Sequence, residues 1–140
     1  MERLDITLDP GPNAMAEARR TVDEQFGSEV SPWLLSELNV VITELIENSV
    51  EHGPGEPIRL QLSVRPDGVI RGEIEDQGRG TIATREIARP GERGLGLMLV
   101  DFLTSRWGVY EGSTHVWFEK SPWPDRRRGA GPHMEKPRQG

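Results

Sequence analysis

Residues Ser31 to His52 read SPWLLSELNVVITELIENSVEH and contain the longest helical pattern of the chain. Ser31 is a suitable N-cap and Pro32 suits the first helical position, so the sequence predicts a helix that begins here and ends at the Gly53-Pro54-Gly55 turn. At about 100° per residue, the apolar positions fall on one core-facing stripe. The residues of this stripe are Leu34, Leu38, Ile42 and Leu45.

A second stripe of polar residues runs along the edge of the same helix. Glu44, Asn48 and His52 fall on this stripe, whereas Glu47 is predicted on the opposite side, in solvent. One glutamate therefore lies beside an amide at the border of the buried surface. Taken alone, Glu44 and Asn48 also fit an ordinary pair of surface polar residues at i, i+4 spacing. His52 is interpreted as a helix-terminal or packing residue and is left out of the site.

The other segments alternate between strand and helix patterns without an internal repeat. We expect strands at Arg3–Leu8, Ile58–Val64 and Ile70–Asp76, a first helix at Ala14–Phe26 with Asn13 as its N-cap, a third helix from Leu95 to Leu103, and a final hairpin of Trp107–Tyr110 and His115–Glu119. Hairpins and helices in this order favour an α+β fold, a two-layer sandwich with the helices on one face of the sheet, over an alternating parallel sheet.

The composition is typical of one intracellular domain with a basic end. The chain has 140 residues, no cysteine and a formal charge of −6, which fits a single soluble domain in a reducing cytoplasm. No window is long and apolar enough for a membrane span, and the acidic body disfavours direct binding to nucleic acid. Residues 121–140 carry five basic and two acidic side chains without apolar periodicity, which predicts a disordered tail after a domain of residues 1–120.

A second polar group lies at the end of the third predicted strand. Asp76 shares a strand face with Ile70 and Ile74, so its carboxylate points toward the interior, where it needs a hydrogen-bond donor. Gly78 and Gly80 follow it and allow a flat ligand or a backbone to approach closely. The alternative is an Asp-Gly turn in which Asp76 bonds its own loop.

A third group, Arg93-Gly94-Leu95-Gly96, precedes the third predicted helix. Backbone N–H groups at a helix start attract phosphate, as does the positive end of the helix dipole, and Arg93 adds a positive charge. The alternative is a turn whose glycines serve only packing. The preceding residues, Gln77 to Glu92, are predicted as a long loop.

In their order along the chain, the three groups resemble the motifs of the GHKL ATPase superfamily. The closest resemblance is to its small anti-sigma-factor serine/threonine kinases. The matching residues are Glu44 and Asn48 with His52 following, then Asp76, Gly78 and Gly80, then Arg93 to Leu97. The resemblance spans roughly Ala14 to Glu119 and implies a Bergerat, or histidine-kinase-like, ATP-binding fold with a mixed sheet.

The resemblance implies that ATP and Mg²⁺ are the cofactors. Asn48 would supply a carbonyl oxygen to the magnesium ion, and Glu44, four residues away on the same stripe, would act as the general base. Asp76 would accept a hydrogen bond from the adenine amino group. Gly78 and Gly80 would pass close to the base, Gly94, Leu95 and Gly96 would cover the phosphates, and Arg93 would contact the γ-phosphate.

The same resemblance implies the activity and the partners. Kinases of this branch phosphorylate a serine or threonine of a small anti-anti-sigma (STAS-type) protein, and they also hold a sigma factor inactive; homodimers are common among them. Two alternatives stay open. One is a nucleotide-binding module that binds a partner protein without transferring phosphate, and the other is a detached catalytic domain of a histidine kinase.

Overall fold

The computed structural model describes residues 3–78, 94–110, 113–123 and 133–135, with residues 94–96 and 133–135 described by their backbone alone. In chain order, its elements are β1 (Arg3–Leu8), α1 (Ala14–Phe26), α2 (Pro32–His52), β2 (Ile58–Val64), β3 (Ile70–Glu75), α3 (Gly94–Leu103), β4 (Arg106–Tyr110), β5 (Val116–Lys120) and β6 (His133–Glu135). Within these ranges, no helix has the length and apolar character that a membrane crossing requires.

The strands form one sheet in the order β1-β2-β3-β5-β4-β6. Its neighbouring strands are antiparallel except β4 and β6, which run parallel, so the sheet is mixed. Buried residues alternate along β2 and β3, as expected when helices cover one face of a sheet. The predicted α+β sandwich is confirmed.

The long helix α2 is the centre of the helical layer, because both α1 and α3 pack against it. It begins as the sequence predicts: the Ser31 hydroxyl accepts a hydrogen bond from the Leu34 N–H at 3.2 Å, and Pro32 is the first helical residue. The predicted stripe of Leu34, Leu38, Ile42 and Leu45 is buried. Burial also extends further round the helix, to Val41, Ile46, Asn48 and Ser49.

Two details of the helices differ from the prediction. Asn13 stands before α1, but its side chain makes no capping hydrogen bond, because its backbone is helical (φ −93°, ψ −6°) rather than extended as at Ser31 (φ −64°, ψ 153°). The Ala14 N–H instead donates to the Gly11 carbonyl at 3.1 Å. Glu47, predicted in solvent, is half-buried, since neighbouring helices enclose α2.

The C-terminal segment contributes a strand that the sequence did not predict. His133–Glu135 forms β6 and pairs with Gly108 to Tyr110 of β4, within the segment predicted as a disordered tail. Three residues are too few for a recognisable alternation in sequence, and this strand takes its hydrogen bonds from the edge of β4. Residues 124–132 and 136–140 of the predicted tail lie outside the described ranges.

Gly72 of β3 is tightly packed in the sheet, where it lies opposite Leu62 on β2 and Phe118 on β5. A Cβ at this position would collide with the Phe118 ring and press on Leu62 Cδ2. We expect Gly72→Ala to lower the free energy of unfolding by about 1–3 kcal/mol, the usual cost of overpacking a core. Urea denaturation measures this loss.

Gly11→Ala is the matched control, because a Cβ at Gly11 meets no atom within 4 Å. Its free energy of unfolding should stay within about 0.5 kcal/mol of the unmodified chain. Equal stability of the two variants would contradict the close packing at Gly72.

Candidate functional site

Asp76 directly follows β3 and is buried, with 1% of its surface exposed. Its Oδ1 accepts two hydrogen bonds, one from the Gly78 N–H at 2.8 Å and one from the Thr114 hydroxyl at 2.6 Å. The interior position predicted for this carboxylate is therefore observed. The hydrogen bond from Gly78 also closes the Asp-Gly turn that was the predicted alternative. The turn and the inward orientation therefore occur together, and both fix the position of the carboxylate.

The turn after Asp76 has a strained backbone. Gln77 has φ 64°, and among the residues that the structure describes it is the one non-glycine with a positive φ. The left-handed conformation costs such a residue about 1–2 kcal/mol. The turn returns the Gly78 N–H to the Asp76 carboxylate, which offsets part of this cost. Strain of this kind concentrates at functional sites.

Asn48 on α2 presents an amide that is both buried and unsatisfied. The residue is 9% exposed, and neither Oδ1 nor Nδ2 has a hydrogen-bond partner among the described residues. A buried polar group without a partner costs about 1–3 kcal/mol. Its carbonyl oxygen is a ligand that Mg²⁺ accepts, and this ion commonly binds through one or two protein groups and completes its octahedron with phosphate oxygens and water. Asn48 therefore has the chemistry and the burial that a magnesium ligand requires.

Glu44 lies on α2 one turn before Asn48 and is half-buried. Four residues correspond to about 6 Å along a helix and to about 40° around it, so the carboxylate and the amide leave the helix on the same side. This side is the edge of the apolar stripe, as the sequence predicts.

The end of α2 meets Asp76. Gly53 follows α2 directly, and a Cβ built on Gly53 would lie 3.3 Å from Asp76 Oδ2. The Gly53 N–H donates to the Ser49 carbonyl at 2.9 Å, which keeps this residue in the last turn. The first two groups predicted from sequence are thus brought together: Asp76 packs against the end of the helix that carries Asn48.

The third group lies at the start of α3. Gly94, Leu95 and Gly96 form the first turn of this helix, where backbone N–H groups have no intrahelical acceptor. Such a turn is suited to binding phosphate. Gly80 and Arg93, which belong to the predicted site, lie outside the described residues.

A buried lysine determines how α3 lies on α2. Lys120 is 2% exposed, and its ammonium donates to the Leu103 carbonyl at the end of α3 and to Glu37 Oε1 near the start of α2, both at 2.6 Å. Because α3 packs along α2 and ends beside the beginning of α2, its first turn is directed toward the half of α2 that carries Glu44 and Asn48.

Comparison with known proteins agrees with this arrangement. A family model described as a histidine kinase-like ATPase domain matches residues 8–120. The chain belongs to this family. Such a domain is an ATPase by its description, so the family implies an ATP-binding site.

One solved structure similar to this histidine kinase-like ATPase domain contains the RsbU and RsbW domains of Rv1364c from Mycobacterium tuberculosis. It has a TM-score of 0.67 and 24% sequence identity over 90% of this chain, a likeness that shows the fold. The match covers 34% of that longer chain. A comparison with curated protein sequences finds no significant match.

Two residues of this candidate site were not predicted from the sequence. Thr114 is 2% exposed and bonds Asp76 across the gap between two strand ends, and Gly53 leaves the space beside Asp76 Oδ2. A threonine next to a strand is an ordinary residue, so sequence offers no sign that this hydroxyl is buried. The contact of Thr114 with Asp76 could have been predicted only by pairing the last hairpin with β3, and this pairing requires the order of the strands in the sheet.

Thr114→Val keeps the shape of the side chain and removes the hydroxyl that Asp76 Oδ1 accepts. We expect the affinity for ATP to fall about tenfold, equivalent to about 1.4 kcal/mol, because the carboxylate then loses one of the bonds that orient it. Isothermal titration calorimetry measures this change.

Thr104→Val is the matched control. Thr104, which directly follows α3, is also buried, but its hydroxyl donates to the Val100 carbonyl of that helix at 2.7 Å. This variant should bind ATP as the unmodified chain does. Undiminished ATP binding by Thr114→Val would argue against a role for this hydroxyl in the site.

Proposed function

We propose that this chain is an ATP- and Mg²⁺-dependent serine/threonine protein kinase of the anti-sigma-factor type. Its partners are a STAS-type anti-anti-sigma protein, which it phosphorylates, and a sigma factor, which it sequesters. One observation carries the proposal: Glu44 stands one turn from the buried amide of Asn48, whose polar atoms have no partner among the described residues. Family membership and the RsbW domain in the similar structure support it.

Asn48 is the protein ligand of the metal in this proposal. Its Oδ1 would hold magnesium, which would neutralise phosphate charge when bound. A neutral amide suits this role, since it adds no negative charge beside the phosphates.

Glu44 is the general base. Its carboxylate accepts the proton of the serine or threonine hydroxyl of the partner as that oxygen bonds to the γ-phosphorus and the bond to ADP breaks. Its position one turn from Asn48 keeps the base within reach of a phosphate near the metal. A protein that only bound nucleotide would have no need of a carboxylate at this place.

Asp76 selects the base. An ionised carboxylate only accepts hydrogen bonds, so it binds the amino group of adenine and opposes the carbonyl oxygen that guanine carries at the same position. Thr114 and Gly78 hold Oδ1, and the missing side chain at Gly53 leaves room beside Oδ2.

The phosphates bind at the first turn of α3 in this proposal. The free N–H groups of Gly94, Leu95 and Gly96 and the positive end of the helix dipole attract them. In this proposal, as the resemblance implies, Gly80 allows the backbone to pass close to the adenine base, and Arg93 contacts the γ-phosphate.

Phosphate transfer to candidate partners tests the proposal. The purified chain is incubated with γ-labelled ATP, Mg²⁺ and candidate STAS proteins, and label on the partner is measured before and after acid treatment. We expect acid-stable label, as a phosphoserine or phosphothreonine gives. ATP binding without label transfer would instead support a non-catalytic interaction module, and acid-labile label would support a histidine-kinase catalytic domain.

Asn48→Leu replaces the unsatisfied amide by an apolar side chain of similar shape. We expect it to lose the Mg²⁺-dependent part of ATP binding and to raise the free energy of unfolding of the nucleotide-free chain by about 1 kcal/mol, because the buried amide no longer lacks partners. ATP titrations with Mg²⁺ and with a chelator, followed by urea denaturation, measure the two effects.

Asn39→Leu is the control on the same helix, since Asn39 donates to Asp23 Oδ1 of α1 at 2.8 Å. It should lose stability and keep Mg²⁺-dependent ATP binding. Wild-type magnesium dependence in Asn48→Leu would remove this residue from the metal site.

Glu44→Gln keeps the size of the side chain and removes its capacity to accept a proton. We expect ATP affinity to be retained and the rate of phosphoryl transfer to fall by about 10²–10⁴-fold. Glu47→Gln, three residues further along α2, is the control and should retain activity. If Glu44→Gln transferred phosphate at the normal rate, the base would be another residue.

A further inference from the structure

The backbone pairing between β3 and β5 stops just before the candidate adenine site. Ile74 and Val116 are the last paired residues at this end. If the antiparallel register continued, Glu75 would lie opposite His115 and Asp76 opposite Thr114. The two strand ends that hold the Asp76 carboxylate therefore extend beyond their own backbone ladder.

Side chains join these strand ends on both faces of the sheet. On the inner face, the Thr114 hydroxyl donates to Asp76 Oδ1 at 2.6 Å. On the outer face, His115 Nδ1 lies 3.2 Å from Glu75 Oε2, and Nε2 lies 2.9 Å from Glu73 Oε1. Thr114 and His115 are consecutive. The contacts of His115 with Glu73 and Glu75 on one face, which we call the clamp, and the Thr114–Asp76 hydrogen bond on the other face therefore act on the same short piece of backbone.

The backbone of His115 is anchored to β4 rather than to β3. Its carbonyl accepts the Tyr110 N–H at 3.1 Å, and its N–H donates to the Ser113 hydroxyl at 3.2 Å. At the level of the base site, the described contacts between the last hairpin and β3 are thus side-chain contacts. Their strength decides how firmly Thr114 is held against Asp76.

The surroundings of the imidazole are charged. Glu73 and Glu75 come from β3, and the Tyr110 ring of β4 lies 4.5 Å away. The Tyr110 hydroxyl contacts Glu73 at 3.4 Å and accepts a hydrogen bond from Arg71 at 3.2 Å. His115 Nε2, although close to Glu73 Oε1, makes no hydrogen bond with the described residues.

Each ring nitrogen of His115 therefore faces a carboxylate. An imidazolium carries a proton on both nitrogens, whereas a neutral imidazole leaves a lone pair on one of them. A ring nitrogen that carries a proton attracts the carboxylate that it faces, so the His115 ring joins the two strand ends.

We propose that His115 is a positioning residue for adenine recognition, whose ring contacts Glu73 and Glu75 across the ends of β3 and β5 and so holds Thr114 on the Asp76 carboxylate. Loss of these contacts then lowers the affinity for adenine nucleotides. The inference rests on the proposed function in one respect, the binding of adenine at Asp76.

The first test uses the nucleotide-free chain, so it does not depend on nucleotide binding. NMR compares the backbone amide of Gly78 in the unmodified chain, in His115→Ala and in His115→Lys, because the Gly78 N–H is bonded to Asp76 Oδ1. We expect this amide to shift in His115→Ala, which removes the contacts with Glu73 and Glu75, and to stay in place in His115→Lys, whose ammonium can bond the same carboxylates. His115→Gln replaces the alanine variant if that variant does not fold.

The second test measures the dissociation constant of MgATP for the unmodified chain, for His115→Ala and for His115→Lys under one set of conditions. We expect His115→Ala to bind MgATP about threefold more weakly than the unmodified chain, as the loss of a cross-strand pair predicts, and His115→Lys to bind it as the unmodified chain does. Asp67→Asn, which removes an exposed ion pair with Arg65 at the other end of the β2–β3 hairpin, should leave the dissociation constant unchanged.

The outcomes separate the two proposals. A Gly78 amide that stays in place in His115→Ala, or equal MgATP affinity of His115→Ala and the unmodified chain, would overturn the role of His115. If the Gly78 amide shifts in His115→Ala while the unmodified chain binds no adenine nucleotide, the coupling of His115 to Asp76 stands and the proposed function fails.

Discussion

The packing of α2 is the constraint on which the rest of the structure depends. An apolar stripe along this helix has to be buried, and α1, α3 and the sheet together enclose it on more sides than the stripe requires. Asn48, at the border of the stripe, is buried as a consequence, although its amide finds no partner among the described residues. The favourable free energy of burying the apolar stripe thus offsets the cost of burying the Asn48 amide, a compromise that is common at functional sites.

Asp76, which packs against the end of α2 that carries Asn48, depends on a similar compromise in the backbone. The Asp76 carboxylate would be costly in the interior without donors, and it acquires them from the turn at Gly78 and from Thr114 on the neighbouring strand end. The turn requires the left-handed conformation of Gln77. The buried Asp76 carboxylate and the strained Gln77 are therefore tolerated together. The hydrogen bond from Gly78 requires the turn at Gln77, and the hydrogen bond from Thr114 requires the neighbouring strand end to be in place.

The outer face of the sheet has a polar layer of its own. Trp117 is fully buried there, with the Arg71 and Arg106 guanidinium groups stacked 4.8 Å and 5.1 Å from its ring. Burial acts to lower the pKa of Arg71, but its contacts with Tyr110 and with nearby carboxylates outweigh burial and raise the pKa above the usual arginine value. The Glu73 and Glu75 carboxylates around His115 belong to this polar layer. Charged groups on the outer face of the sheet therefore lie next to the candidate adenine site on the inner face.

The sequence by itself determined the helices, the β2–β3 hairpin and the grouping of polar residues, because apolar periodicity, Ser31-Pro32 and the glycine turns are local signals. It could not determine which strand end faces Asp76, so Thr114 was missed, nor the parallel pairing of the short β6, since both depend on sheet order. Glu47 was misplaced for a different reason: a helix pattern shows one buried face and cannot show that other helices cover its flanks. Only the tertiary structure brought Asp76 to the end of α2, because contacts between distant segments form through packing and not through local preference.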